Sequence, residues 1–250
     1  MSDFNNGYPR AIPSSADMAV DTGLRAFMLG VYNKLALGLG VAGVLAWVTG
    51  NVPEVTSMLF QQVGRGITYT PLGWVVALAP VVLLFGSMFT MKNPTARGTG
   101  VLYWLVVAAI GAGGGLWFLR YTDASLASTF FVTAAAFGAL SLWGYTTKRN
   151  LSGLGTFLFM GLIGLILASL VFAFLPAAQN PMFYFIINAL GVLIFAGFIA
   201  YDTQRMKMGY YAAGGDRNML GVLTNWAALG LFINFVNLFQ FLLSFLGNRE

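Results

Sequence analysis

The sequence predicts an all-α, polytopic membrane protein with seven transmembrane helices, and three observations lead there. Of 250 residues, 58% are hydrophobic and 8% charged, with mean hydropathy +0.77. A soluble domain carries about 25% charged residues, so this chain has too few to cover a surface facing water. Seven predominantly apolar runs lie near 31–50, 73–91, 99–119, 125–145, 154–175, 183–205 and 223–246; about 20 such residues cross the hydrocarbon of a bilayer. Between them fall the breakers: Pro53 and Pro71, Pro94, Asp123, Lys148 to Asn150, Pro176 with Pro181, and Gly214–Gly215.

Residues 1–24 precede the first run, and 25–250 are read as the transmembrane domain. The opening MSDFNNGYPRAIPSSAD is polar and lacks a basic start leading into a short apolar core, so it is not a signal peptide. A disordered cytoplasmic tail is expected, with Asp17 or Asp21 able to cap the first helix. Small residues recur four apart in three spans: Gly38 with Ala42, Gly111 with Gly115 and Ala108 with Ala112, and Ala134 with Gly138. That spacing lets helix backbones approach closely in lipid. These glycines lie inside apolar helices rather than after a strand, which favours packing over a ligand-binding loop. Only RYTDAS separates spans three and four, so a tight hairpin is expected there. No repeat of three plus three inverted spans is visible.

Charge sets the expected orientation. With the amino terminus in the cytoplasm, all Lys and Arg face inward except Arg65, Arg120 and Arg249, out of 13 in total. This is a strong positive-inside bias. An odd number of spans then places the carboxyl terminus outside, unless the last segment is re-entrant. The tryptophans Trp47, Trp74, Trp104, Trp117, Trp143 and Trp226 all fall near expected span ends, as an aromatic belt requires.

Composition also narrows chemistry. The chain has no cysteine and no histidine, which removes disulfides, thiolate metal sites, cysteine nucleophiles and the commonest general base. The net charge is +5, but the basic residues are scattered over short connections, so no nucleic-acid surface is expected. No cofactor or metal set is apparent. An intramembrane protease or lipid transferase would need more polar catalytic groups than these helices hold.

One acid stands out. Among the acidic residues, only Asp202, in FIAYDTQRMK, is contiguous with a transmembrane run. An ionised carboxylate costs about 2.5–3.5 kcal/mol at a helix centre, less toward the ends, so such a residue is a functional suspect. The competing reading is local: Arg205, one turn on, pairs with Asp202, while Arg205 and Lys207 snorkel to the headgroups. The last span tilts the balance. Asn234, Asn237, Gln240 and Ser244 fall within about 120° on a helical wheel, and Asn188 lies about 40° from Asp202 on span six. Two such polar stripes should face each other or a wet cavity. The plain alternative is interhelical hydrogen bonding without transport. An acid shielded from bulk water makes Asp202 a candidate proton-sensitive gate.

Several of these segments resemble the Bax inhibitor-1, or transmembrane Bax inhibitor motif, family. They are FAGFIAYDTQRMK, SLWGYTTKRNLSGLGTFLFMGLIGLI, INFVNLFQFLLSFLGNRE and, as in bacterial members, DTGLRAFMLGVYNKLALGL. The resemblance implies seven helices with the last surrounded by the others. It implies a pH-sensitive calcium leak in which two facing aspartates, on the sixth and last helices, form the sensor. The first matches Asp202. The second falls in LFINFVNLF, where this chain has Asn234. Asn150 stands where related sequences often carry Asp, and GWVVALAPVVLLFGSMF lacks the arginine that latches onto the aspartates in some members. One carboxylate facing an amide is a weak divalent-cation site, because calcium takes 6–8 oxygen ligands. The pair can hydrogen-bond in either protonation state, so a shallow response to protons is expected. The resemblance also offers a reading without transport: some bacterial relatives modulate a membrane-bound AAA protease.

Overall fold

In the computed structural model, which describes residues 21–64, 66–173 and 181–248, seven long apolar helices form one bundle. The first, α1 (Thr22–Asn51), starts well before the expected residue 31. Asp21 caps it, accepting from the Leu24 N–H at 2.9 Å and from the Tyr211 hydroxyl at 3.1 Å. Asp17 and most of the expected tail lie outside the described residues. The Leu24 N–H donating to it holds the Asp21 carboxyl below the usual carboxylate range. A depressed acid stabilises the fold above its unfolded value, near 3.8, and loses that contribution as pH falls through the lower folded value. The expected result for Asp21→Ala is a lower melting temperature at neutral pH than the unmodified chain, with the gap closing in acid.

Between the first two spans the chain makes structure that the breakers Pro53 and Pro71 do not announce. A short helix α2 (Pro53–Leu59) leads into β1 (Phe60–Val63), which pairs antiparallel with β2 (Gly66–Tyr69). The second span, α3 (Pro71–Thr90), is capped by Thr70. Pro80 interrupts its hydrogen-bond ladder. The third is α4 (Ala96–Gly113) continued by α5 (Gly115–Phe118). The tight connection at RYTDAS is present: Thr122 caps α6 (Asp123–Thr146), accepting from the Ser125 N–H. Then follow α7 (Ser152–Ala173), α8 (Pro181–Ala212) and α9 (Arg217–Leu246).

The last helix is the hub. α9 packs against α1, α4, α6 and α8, whereas α3 leans on α4 and α7 on α8 at the periphery. Its buried face includes Phe232, Leu231, Leu238 and Leu243, each at most 1% exposed. Without a hydrophobic drive between helices in lipid, close contact rests on small residues, and several of the expected ones serve. A Cβ on Gly111 would lie 2.7 Å from the Ala42 Cα, a Cβ on Gly38 would strike Tyr103, and one on Gly115 would strike α1 at Thr49 and Gly50. Gly138 does not take part; its neighbourhood is open. Replacing Gly111 by Leu should push α4 off α1 and cost about 1–3 kcal/mol, read as a lower unfolding temperature in detergent.

Two further expectations are corrected. The tryptophans do not all mark helix ends. Trp104 and Trp226 fall well inside α4 and α9 because both helices begin earlier than expected. Lys207 does not reach outward: it is buried, lies over the Tyr145 ring at 4.5 Å and donates to the Tyr145 carbonyl at 3.3 Å. A carbonyl and an aromatic face replace the headgroups as its partners. Every described Lys and Arg except Arg120 belongs to the half of the bundle carrying the α8–α9 turn.

Candidate functional site

The long reach of α8 positions the site. Because α8 continues to Ala212, Asp202 stands well before the helix end and faces the middle of α9. The Asn234 amide nitrogen donates to Asp202 Oδ2 at 2.7 Å. Asn234 is 6% exposed, so on its side the bond is shielded from bulk water. An acid with its charge met by a buried amide is a stronger contact than a neutral pair. Arg205 is exposed and leaves Asp202 to the amide. The direct partner of the acid is thus the amide, with the Arg205 charge acting on it from one turn away.

Asp202 also borders a cavity of about 350 Å3 in the half of the bundle nearer the α8–α9 turn, lined also by Arg205, Phe27, Met206, Leu223 and Trp226. Gly230 lies beside Asp202; a Cβ there would come 3.6 Å from Asp202 Oδ2, an ordinary contact, whereas a longer side chain would enter the cavity.

The rest of the polar stripe on α9 serves another place. Asn237, Gln240 and Ser244 line a larger cavity, about 890 Å3, at the half of the bundle bearing the β-hairpin. Arg120, whose Nη2 donates to the Ile67 carbonyl at 2.6 Å, and Tyr69, whose hydroxyl donates to Gly113 at 3.1 Å, form its hairpin-side wall. Within the helix, Asn237 donates to Ile233 and Ser244 to Gln240, while Gln240 is exposed. Asn188, 4% exposed, donates to the Tyr184 carbonyl of its own helix at 2.7 Å and does not join Asp202. The shared stripe of α8 is therefore split by depth. Asn234 and Asn237 are three residues apart, so about 4.5 Å of helix rise separates the Asp202 contact from the larger cavity.

Neighbouring groups, most of them not singled out in the sequence, fix this framework. Gln204 Oε1 accepts from the Leu151 N–H at 2.8 Å and its Nε2 donates to the Arg149 carbonyl at 2.8 Å, clamping the α6–α7 connection onto α8. Asn150 supplies the adjoining turn, its side-chain oxygen accepting from the Ser152 N–H at 2.9 Å. Thr203 meets Ser141 at 3.1 Å, and Ser141 meets the Tyr32 hydroxyl, which ties α8 to α6 and α1. On the far face of α9, Asn225 accepts from Lys34 and donates to the Ala96 carbonyl at 2.7 Å and to Thr99 at 2.8 Å. A lone lysine in an otherwise apolar span was the available signal for this last group.

Comparison with known proteins agrees over nearly the whole chain. The family model described as inhibitor of apoptosis-promoting Bax1 matches residues 24–250. A protein of Caulobacter vibrioides without an assigned role is 60% identical over 253 residues, covering 100% of both chains. The inner membrane protein YbhL of Escherichia coli K12 is 39% identical over 229 residues, covering 91% of this chain and 94% of its own. Another uncharacterised protein, from Rickettsia prowazekii, is 40% identical and covers 95% of each chain.

Proposed function

The chain belongs to the Bax inhibitor-1 family of integral membrane proteins, and we propose that it is a proton-sensitive ion leak whose gate is the Asp202–Asn234 contact. One observation carries this reading: along α9 the 2.7 Å bond between those side chains falls between the residues that line two cavities, one in each half of the bundle. Along α9, Asn234 falls between Gly230 of the smaller cavity and Val236 of the larger, and its bond holds α8 against α9 at that level. Breaking it would let water from the smaller cavity reach Asn237 and the larger one. Protonation of Asp202 replaces a charge-assisted bond with a neutral one, which weakens the closure without abolishing it.

The ion is the finer part of the proposal. A calcium leak is what the resemblance implies, but the gate offers one carboxylate, and among the described residues no group of three acidic side chains is gathered to hold a metal. Calcium passage should therefore be slow relative to potassium or protons. The basic half of the bundle supports a cytoplasmic amino terminus, and the inner-membrane relative supports residence in a bacterial inner membrane. The deciding experiment is calcium, potassium and proton flux from liposomes across pH. Flux that is absent for all three ions at every pH would leave the family architecture without this function.

A further inference from the structure

We infer that the cavity beside Asp202 is a binding site for a zwitterion: a molecule carrying an ammonium and an anionic group on a partly apolar frame. The inference concerns occupancy of the cavity and does not require that the chain conduct ions.

The cavity is lined by two opposite charges, Asp202 and Arg205. They are one helical turn apart, a spacing at which acid and base commonly pair. Here Asp202 turns its Oδ2 to Asn234, and the exposed Arg205 acts on the carboxylate through its charge without forming a direct ion pair among the described residues. Each charge is thus available to a ligand that satisfies both. A simple cation drawn to Asp202 would meet Arg205, and a simple anion drawn to Arg205 would meet Asp202. A molecule with both signs is favoured at each end.

The walls select further. Phe27 and Trp226 offer aromatic faces, and Met206 and Leu223 offer apolar surface. Aromatic faces favour an ammonium, and the apolar wall suits a hydrocarbon frame. Gly230 leaves room against the carboxylate. The volume, about 350 Å3, falls within the range of small-molecule sites, roughly 300–1,000 Å3. A dehydrated divalent ion would find one acid and an amide N–H donor, a poor substitute for 6–8 oxygen ligands. The same chemistry exists in a free amino acid and in a phosphoethanolamine lipid headgroup.

The full-length protein in detergent, titrated calorimetrically with leucine, phenylalanine and phosphoethanolamine, tests the site; nanodiscs of phosphatidylethanolamine or phosphatidylglycerol test the lipid source. We expect saturable binding of at least one of these zwitterions. For an amino acid, N-acetyl-leucine, which lacks the ammonium, and leucine amide, which lacks the carboxylate, should bind roughly tenfold weaker or worse. Asp202→Asn and Arg205→Gln should each weaken binding by about the same factor, and Gly230→Leu should eliminate it. Arg205 is exposed, so Arg205→Gln keeps the test valid even where a core variant misfolds. A lipid occupant would instead appear as a higher melting temperature in phosphatidylethanolamine than in phosphatidylglycerol, a difference lost in Arg205→Gln. The inference is overturned if neither free zwitterions nor phosphatidylethanolamine bind, or if Arg205→Gln binds them as well as the unmodified chain. Because binding is read at equilibrium, its failure leaves the flux proposal untouched, and absent flux leaves the site untouched.

Discussion

Asp202→Asn, reconstituted in liposomes, should leak faster than the unmodified chain at neutral pH and should lose the pH dependence of its flux. The reasoning starts from the bond. A carboxylate accepting from an amide is roughly twice as strong as a neutral hydrogen bond, with hydrogen bonds to charged groups contributing about 1.5–3 kcal/mol and neutral ones about 1. The substitution therefore removes about 0.5–2 kcal/mol from the closed arrangement, a factor of roughly 2–30 in an equilibrium. It also removes the proton-binding group. In the unmodified chain the same weakening arises only when Asp202 takes up a proton, so flux should rise as pH falls and approach that of the variant. A pH transition that survives in Asp202→Asn would place the sensor elsewhere and sink the gate.

Arg205→Gln separates this idea from its local competitor. If Asp202 were governed by its neighbour on α8, removing the guanidinium would shift the pH profile strongly. Arg205 is exposed and the acid bonds α9 instead. The profile should therefore move little, since an exposed pair contributes about 0–1 kcal/mol.

What the sequence allowed to be read, and what it hid, divides along physical lines. The seven spans were legible because hydrocarbon imposes its own length on a helix, and each apolar run declares itself without reference to its neighbours. The hairpin between α2 and α3 was not legible. Its two strands are four residues each, too short to show a period, and its flanking prolines look like simple breakers. The end of α8 was misread because Arg205 and Lys207 suggest the edge of a membrane. Lys207 instead turns inward to Tyr145, and the helix runs on to Ala212. That extension also sets Asp202 level with Asn234, whereas a span ending at 205 places the acid near one end of its helix and Asn234 well inside the next. That polar stripes on the last two helices meet was legible, through an isolated acid on one helix and amides at helical spacing on the next, while the choice of Asn234 as its partner came from the family resemblance. The division of the α9 stripe, Asn234 to the acid and Asn237, Gln240 and Ser244 to the larger cavity, was not, because a helical wheel discards depth.

The residue opposite the acid gives the other large effect. Asn234→Asp should make the flux depend more steeply on pH and raise the share of it carried by calcium. In the unmodified chain the amide donates to Asp202 Oδ2 at 2.7 Å; a second carboxylate in that place can approach so closely only with a proton between the two. The pair would then titrate as a unit with two apparent values. Losing the shared proton would set two like charges against each other, a repulsion of about 4 kcal/mol at 4 Å with an effective dielectric of 20. That is larger than the change available to the acid–amide pair, so loss of the shared proton should open the closed state further and change the flux more per unit of pH. The same repulsion predicts a stability signature: Asn234→Asp should melt near the unmodified temperature in acid, where the proton is present, and below it once the proton has gone. A bound divalent cation relieves the repulsion, so added calcium should restore part of the lost melting temperature in Asn234→Asp and do little for the unmodified chain. An Asn234→Leu variant removes the amide without adding a charge and should show neither the steeper profile nor the calcium effect. If Asn234→Asp behaves like Asn234→Leu in both measurements, residues 202 and 234 do not act as a facing pair, whatever their distance.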